Sequence, residues 1–407
     1  KNSEKFLSKT IELNPKHLPA YNNLLELYDI SNQHEKFKDV LEKSETNFGK
    51  NSTIELFKAK LFYKLKKYKD VVKTLENIKF DQQENFKENS RLELIAKSHD
   101  QLSNFKEAYY FFEENNNLSK KVDKNNAKKE VFIETINKRT KYFANVNFSE
   151  WEIEKNEDNL KDPVFLIGFP RSGTTLLDTI LRTHKSIQVI EEKSLVDELI
   201  NHLNKNTGGD LLKLNIIEKD FIKELRNFYF ERRKTFKIYE NRTIFVDKMP
   251  LNIFYIPELK KIFPNSKFIL AMRNPCDVVF SCFMQPFIPN DAMNHFFNLE
   301  DATEFYNLVM KLWKKYHDTI NLHLHIIKYE NIVNNFDYTL RDLIKFLEVE
   351  WSDNLRNFYL TASKRGIINT PSYNQVNMPL YSNSVGRWKN YSKQFSKVNP
   401  ILSKWMK

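Results

Sequence analysis

The chain has 407 residues, and its 64 Lys and Arg exceed its 53 Asp and Glu, for a net charge of +11; this length is more than one ordinary hydrophobic core, so two or three units are expected. The first 150 residues hold 28 basic and 23 acidic side chains and the rest 36 and 30, a spread that argues against a dedicated nucleic-acid arm and favours anionic ligands without naming one. Cys276 and Cys282, the two cysteines, fit neither a disulfide framework nor a zinc site and read as packing residues of a reducing compartment; with no apolar run long enough to span a bilayer and no signal-peptide pattern, a cytoplasmic protein is expected.

The chain opens at Lys1, without Met, inside what reads as a helix, so the expectation is a piece of a longer protein in which further repeats could precede it. Phe37-Lys38-Asp39-Val40, Tyr68-Lys69-Asp70-Val71 and Phe105-Lys106-Glu107-Ala108 repeat one pattern, and Phe6 stands in phase upstream. Helix-period apolar segments precede each, such as Tyr21, Leu24, Leu25 and Tyr28. Helical hairpins at this spacing resemble tetratricopeptide repeats; a plain helical bundle is the alternative, and either way residues 1–127 are expected to be all-helical. The polar run Asn115-Asn116-Asn117 and residues 119–126 read as a turn or linker, followed by an amphipathic helix over 128–144 within a linking segment 128–161. From about residue 162 to the end, short apolar runs (163–167, 267–272 and 322–327) alternate with helical stretches, and residues 245–250 close another strand, which predicts an α/β domain with a central parallel sheet. Ligands of such sheets sit at the carboxyl ends of the strands.

Gly168-Phe169-Pro170-Arg171-Ser172-Gly173-Thr174-Thr175 follows the first of these runs and precedes an apolar helix. Loop amides and a helix N-terminus there favour an anion. A nucleoside-triphosphate loop would carry lysine where Thr174 stands, so a kinase or ATPase is disfavoured. With the positive charge at Arg171 instead, the stretch Pro170 to Thr175 resembles the phosphosulfate loop of sulfotransferases that use 3′-phosphoadenosine 5′-phosphosulfate (PAPS). The resemblance spans residues 162–391. It implies that Arg171, Ser172, Gly173, Thr174 and Thr175 hold the donor's 5′ end, and that Arg273 and Ser281, eight apart after a strand, hold the 3′-phosphate. It further implies that Tyr329 lies near the nucleotide and that Arg387, Trp388 and Lys389 close over it.

The catalytic motifs are most similar to those of tyrosylprotein sulfotransferases. That likeness places the general base at Glu192, 21 residues beyond Arg171, with Glu191 open as the alternative, and a solvated helix-start acid pair as the plain reading of both. It makes Lys248 and Arg171 the cations of the transferring group and Ser372 a further stabiliser, with PAP as product and no metal required. None of the nine histidines is assigned as base; His184, His323 and His325 read as structural. The pairing of repeats with this domain resembles bacterial repeat-containing sulfotransferases. The expected partners are a hydroxyl-bearing acceptor, either a peptide or protein docked by the repeats or a small alcohol or phenol, and a second copy of the chain. A scaffold that only senses PAPS or PAP stays open beside the enzyme reading.

Overall fold

The computed structural model describes residues 2–31, 33–121, 128–146, 148, 151, 158, 160–236, 242–364, 378–380 and 382–406. The chain divides into two compact units, one formed by Lys1–Ala127 with Phe283–Asn298 and the other by Lys128–Cys282 with Leu299–Lys407.

The first unit holds helices α1 (Asn2–Leu13), α2 (Leu18–Ile30), α3 (His34–Phe48), α4 (Ser52–Lys64), α5 (Tyr68–Leu75), α6 (Asn85–Gln101) and α7 (Phe105–Lys121). Phe37, Tyr68 and Phe105 fall in the first turns of α3, α5 and α7, so the recurring motif marks the second helix of each of three hairpins. Local chemistry sets the helix ends. The Asn51 side chain accepts from the amides of Thr53 and Ile54 to cap α4, and Gly49, at φ 64°, ends α3 in a conformation that favours glycine. Each hairpin closes on shared apolar residues, Tyr21, Leu25, Phe37 and Leu41 among them in the first.

One expectation fails here. Asn115 to Asn117 are not a turn but the interior of α7. Asn115 and Asn116 are buried, and the Asn116 amide donates to the Phe283 carbonyl at 2.9 Å, while Tyr109 stacks on the Phe283 ring. Tertiary contacts outweigh the poor helix propensity of three asparagines. These contacts also show why Phe283–Asn298, remote in sequence, packs with the helical unit.

The second unit opens with α8 (Lys129–Ala144) and contains a five-stranded sheet of β1 (Val164–Gly168), β2 (Ile187–Glu191), β3 (Ile244–Lys248), β4 (Lys267–Met272) and β5 (His323–Lys328). The strand order is β2-β3-β1-β4-β5, and every pairing is parallel. All five residues of β1 are buried, as expected of a central parallel strand covered on both faces. Helices α9 (Thr174–Thr183), α10 (Leu195–Thr207), α11 (Lys219–Lys234), α12 (Ile256–Ile262), α13 (Pro275–Phe283), α14 (Leu299–Thr319), α15 (Tyr329–Asn334), α16 (Phe336–Phe346) and α17 (Phe358–Lys364) follow in chain order. One core joins β1, β2 and β4 to α9, α16 and α17 through Leu166, Val189, Ile269, Ile180, Leu343 and Phe358.

Strand β2 is the element the apolar runs do not reveal. The helix-start reading of Glu191 and Glu192 is corrected by it: Glu191 is the last residue of a strand, and α10 begins only at Leu195. The strand is short and broken by the polar Gln188, and its register against β3, Ile187 beside Ile244 and Glu191 beside Lys248, defines it.

Candidate active site

β1 is flanked by β3 on one side and β4 on the other, so the loop leaving β1 sits where the connections diverge, the usual ligand crevice of such sheets. Two glycines shape it. A Cβ on Gly168 would lie 2.7 Å from the Ala271 carbonyl oxygen of β4, and one on Gly173, at φ 96°, would lie 2.9 Å from Cδ2 of Tyr329. Glycine is therefore required by close approach at both positions. Arg171 is held in the left-handed region at φ 69°. Ser172, Thr174 and Thr175 are buried, and the first amides of α9 lack intrahelical acceptors, so they form an anion-binding terminus.

The β4 side supplies the second part. Asn274 and Pro275 form a helix start: the Asn274 carboxamide oxygen accepts from the amides of Cys276 and Asp277, and Pro275 is the first residue of α13. This turn aims Arg273 back at the loop. Arg273 Nη1 donates to the Arg171 carbonyl at 3.2 Å and Nη2 to the Ser384 carbonyl at 2.6 Å. Two turns along α13, Ser281 Oγ accepts from Arg171 Nε at 3.0 Å. The Tyr329 ring lies under the Arg273 guanidinium, 4.8 Å from it, and its hydroxyl meets Ser384 Oγ at 2.8 Å.

The carboxylate of Asp277 holds the C-terminal loop, accepting from the amides of Gly386 at 2.6 Å and Trp388 at 3.1 Å. Burial raises its pKa, while Arg273 and then these two amides oppose the rise. Arg171, Gly173, Arg273, Ser281, Tyr329 and Trp388, scattered over more than two hundred residues of sequence, thus converge. Arg387 and Lys389 follow on the same loop, in a short helical turn over Arg387–Tyr391.

Whether this set fits a dianionic phosphate can be judged from its unsatisfied atoms. Arg273 Nε and Trp388 Nε1 are buried with no hydrogen-bond acceptor among the described residues. A buried guanidinium N–H without an acceptor is costly, and a phosphate oxygen is the group that satisfies it best. The donors fit.

At the ends of β2 and β3 lies a second cluster. Lys248 is fully buried, and its Nζ contacts Glu192 Oε1 at 2.6 Å and Glu191 Oε1 at 3.2 Å. The Glu191 side chain is 6% exposed and that of Glu192 37%, so Glu192 is the carboxylate an incoming molecule can reach. Its left-handed backbone, φ 48°, and the bond from its amide to the Lys248 carbonyl at 2.8 Å set this orientation. Beneath them Asp247 is buried with its Oδ2 accepting from the Tyr229 hydroxyl; burial is the main cause that pushes its pKa up to about 7.

Residues 163–353 match the model of the sulfotransferase family. The chain carries a sulfotransferase-family domain. A protein of Aquifex aeolicus described as uncharacterized is 29% identical over 255 residues, 61% of this chain and 33% of its own length. Protein-tyrosine sulfotransferase 1 of Danio rerio is 23% identical over 55% of this chain and 65% of its own. The chain thus spans a third of the first relative and just under two thirds of the second. Among solved structures, the sulfotransferase domain from the Synechococcus PCC 7002 olefin synthase aligns over 62% of this chain and 98% of its own, at 18% identity and a TM-score of 0.42.

The sulfotransferase domain also contains residues that motif reading left without a role: Asp277, which ties down the C-terminal loop, and Ser384, which joins Tyr329 to Arg273; Glu191, the alternative base, is the buried partner of Lys248. Nothing local in the sequence marks Asp277 or Ser384, because their partners lie 109 and 55 residues away. Ser372 lies outside the described residues. His184 bonds the Glu350 carbonyl and the Ser186 amide, and His323 and His325 both pack on Phe346, so the three are structural. Both cysteines are buried, and burial drives Cys276 up to about 12 and Cys282 higher, which keeps them as unreactive thiols. Among the described residues no helix is long and apolar enough to cross a membrane.

Proposed function

We propose that the domain transfers the sulfuryl group of PAPS to an acceptor hydroxyl. The observation that carries this reading is the convergence of Arg171, Ser281 and Arg273 on a phosphate loop whose lysine position holds Thr174. Fixed arginines in place of a loop lysine suit an adenosine bisphosphate better than a triphosphate chain.

PAPS, when bound, supplies a sulfuryl group on a phosphate leaving group. The loop amides and the α9 terminus would hold the 5′ end, Arg273 and Ser281 the 3′-phosphate, and Trp388 and Tyr329 the nucleoside. Glu192 would accept the acceptor's proton as the new O–S bond forms. Lys248 and Arg171 would stabilise the charge left on the 5′-phosphate oxygen as the old S–O bond breaks. Lys248 is paired with Glu192 in the structure; when it turns to the leaving oxygen, Glu191 remains as its counter-ion and Glu192 is released to the acceptor. Two adjacent carboxylates therefore divide two tasks. The protein-tyrosine enzymes among the relatives favour a phenolic hydroxyl, and the helical hairpins, read as tetratricopeptide-like, offer a surface for a peptide or protein carrying it.

Calorimetry with PAP tests the donor site. Arg273→Ala is expected to weaken binding at least tenfold, and an unchanged affinity overturns the assignment. Transfer from labelled PAPS should fall about 10²-fold or more in Glu192→Gln with PAP affinity retained; the sensor reading instead expects no transfer in wild type.

A further inference from the structure

The C-terminal segment is attached to α13 in two different ways. From Tyr391 onward the attachment is apolar: Tyr391, Phe395, Val398 and Leu402 are buried, and the Phe280 ring of α13 meets Tyr391 at 4.2 Å and Phe395 at 5.8 Å. Upstream, Ser382, Asn383 and Val385 are exposed, and the attachments are polar: Arg273 and Tyr329 reach Ser384, and Asp277 takes the amides of Gly386 and Trp388. Trp388 stands at the junction, its ring tilted on Phe395 at 5.6 Å. Gly386, at φ 74°, makes the turn between the two parts, in a conformation that favours glycine.

Asp277 differs from the other residues that hold this loop. It is 2% exposed and commits both oxygens, Oδ2 to the Gly386 amide and Oδ1 to the Trp388 amide, so it acts on the donor site through the loop. Only an ionised carboxylate accepts at both oxygens; once protonated, one of them turns a hydroxyl towards an N–H, and one of the two bonds is lost. The charged groups around it are Arg273, four residues earlier, Arg387 and Lys389 on the loop, and Glu330 of α15, which itself accepts from the Asn274 amide at 2.8 Å. The neighbouring Cys276 thiol stays neutral, pushed by burial up to about 12. Burial raises the Asp277 pKa and Glu330 adds to the rise, against Arg273 and the two amides. The carboxylate therefore takes up its proton at a higher pH than an ordinary aspartate.

We infer that Asp277 is a positioning residue of the donor site: its ionised carboxylate holds Trp388 and the flanking Arg387 and Lys389 at the nucleotide, and its protonation releases this loop and weakens donor binding. The apolar anchor from Tyr391 onward does not titrate, so acidification frees the upstream part alone. Arg273 and Tyr329 do not replace the latch, because both hold Ser384, two residues short of the Gly386 turn. This inference rests on the reading of the site as one for PAPS and PAP, and it adds a pH dependence that the nucleotide contacts by themselves do not imply.

The test uses the full chain, with PAP as probe and Trp388 as reporter. By calorimetry, Asp277→Asn is expected to weaken PAP binding about tenfold or more, the scale of one lost charge-assisted bond, with native-like circular dichroism. Lowering the pH from about 7.5 to about 5.5 should weaken PAP binding to wild type more than to Asp277→Asn, since protonation of PAP's own phosphates is common to both. Over the same range and without PAP, acrylamide quenching of wild type minus that of Trp388→Phe should rise on acidification, as the indole leaves its buried seat. Wild-type affinity in Asp277→Asn, parallel pH profiles, or a Trp388 signal that ignores pH overturns the inference. If the Asn variant does not fold, the quenching difference decides alone. Failure of the wild-type chain to bind PAP at any pH overturns the donor reading, whatever the ligand-free Trp388 signal shows of the latch.

Discussion

Lys248 sits at zero exposure with two carboxylates on its ammonium, and the asymmetry of those carboxylates has energetic consequences. Removing the lysine takes a cation from Glu191, which is nearly buried, whereas Glu192 can turn to water. Lys248→Met should therefore lower stability by about 3–5 kcal/mol, and the double variant Lys248→Met/Glu191→Gln should recover part of it, because part of the cost lies in the buried carboxylate that loses this cation. Urea denaturation of the four species measures the coupling, and strict additivity would refute it. Asp247, one residue earlier, makes a pH signature. Its folded pKa of about 7 lies above the unfolded carboxylate value of about 3.9, so the folded state binds the extra proton. The stabilisation from this proton is full below about pH 4 and is lost as pH rises towards 7, a few kcal/mol in all. Asp247→Asn should flatten that part of the stability profile, between about pH 4 and 7, relative to wild type, as thermal melts across the range would record.

At the scale of elements, the turn from β1 into α9 depends on two things that a sequence motif conflates. The loop needs left-handed backbone at Gly173, and it needs space against Tyr329, which belongs to the start of α15 and also supports Arg273. Gly173→Ala is expected to cost about 1–3 kcal/mol through strain and to weaken PAP binding at least tenfold, since relief would displace Tyr329 from beneath Arg273. Native-like circular dichroism with unaltered PAP affinity would disprove the coupling. The phosphate loop itself was legible from residues 163–175, because an apolar strand, two glycines and an apolar helix are all local. β2 was not, since a five-residue strand with a polar centre has no periodicity of its own and is defined by its register on β3. The asparagines of α7 misled for the related reason that the hydrogen-bond partner of Asn116 is supplied from residue 283.

For the whole molecule, the segment Phe283–Asn298 belongs with Lys1–Ala127 although it interrupts the sulfotransferase domain. Phe283, Phe296 and Phe297 are buried. A chain of residues 128–407 should therefore fold its sheet yet expose these rings, and limited proteolysis should cut it first within 283–298, where the full chain resists. Equal resistance of the two would show that the segment needs no helical unit. The residue order alone determined what is local: recurring hairpins, alternating strands and helices, a phosphate loop without its lysine, and a family resemblance that pointed to Arg273, Ser281, Lys248 and Glu192. The tertiary structure alone decided which carboxylate faces outward and which is buried against Lys248, brought Arg171 to Ser281 across 110 residues, and tied the C-terminal loop to Asp277. Burial and long-range hydrogen bonds select among side chains that look equivalent in sequence, because desolvation acts on position in space and not on position along the chain.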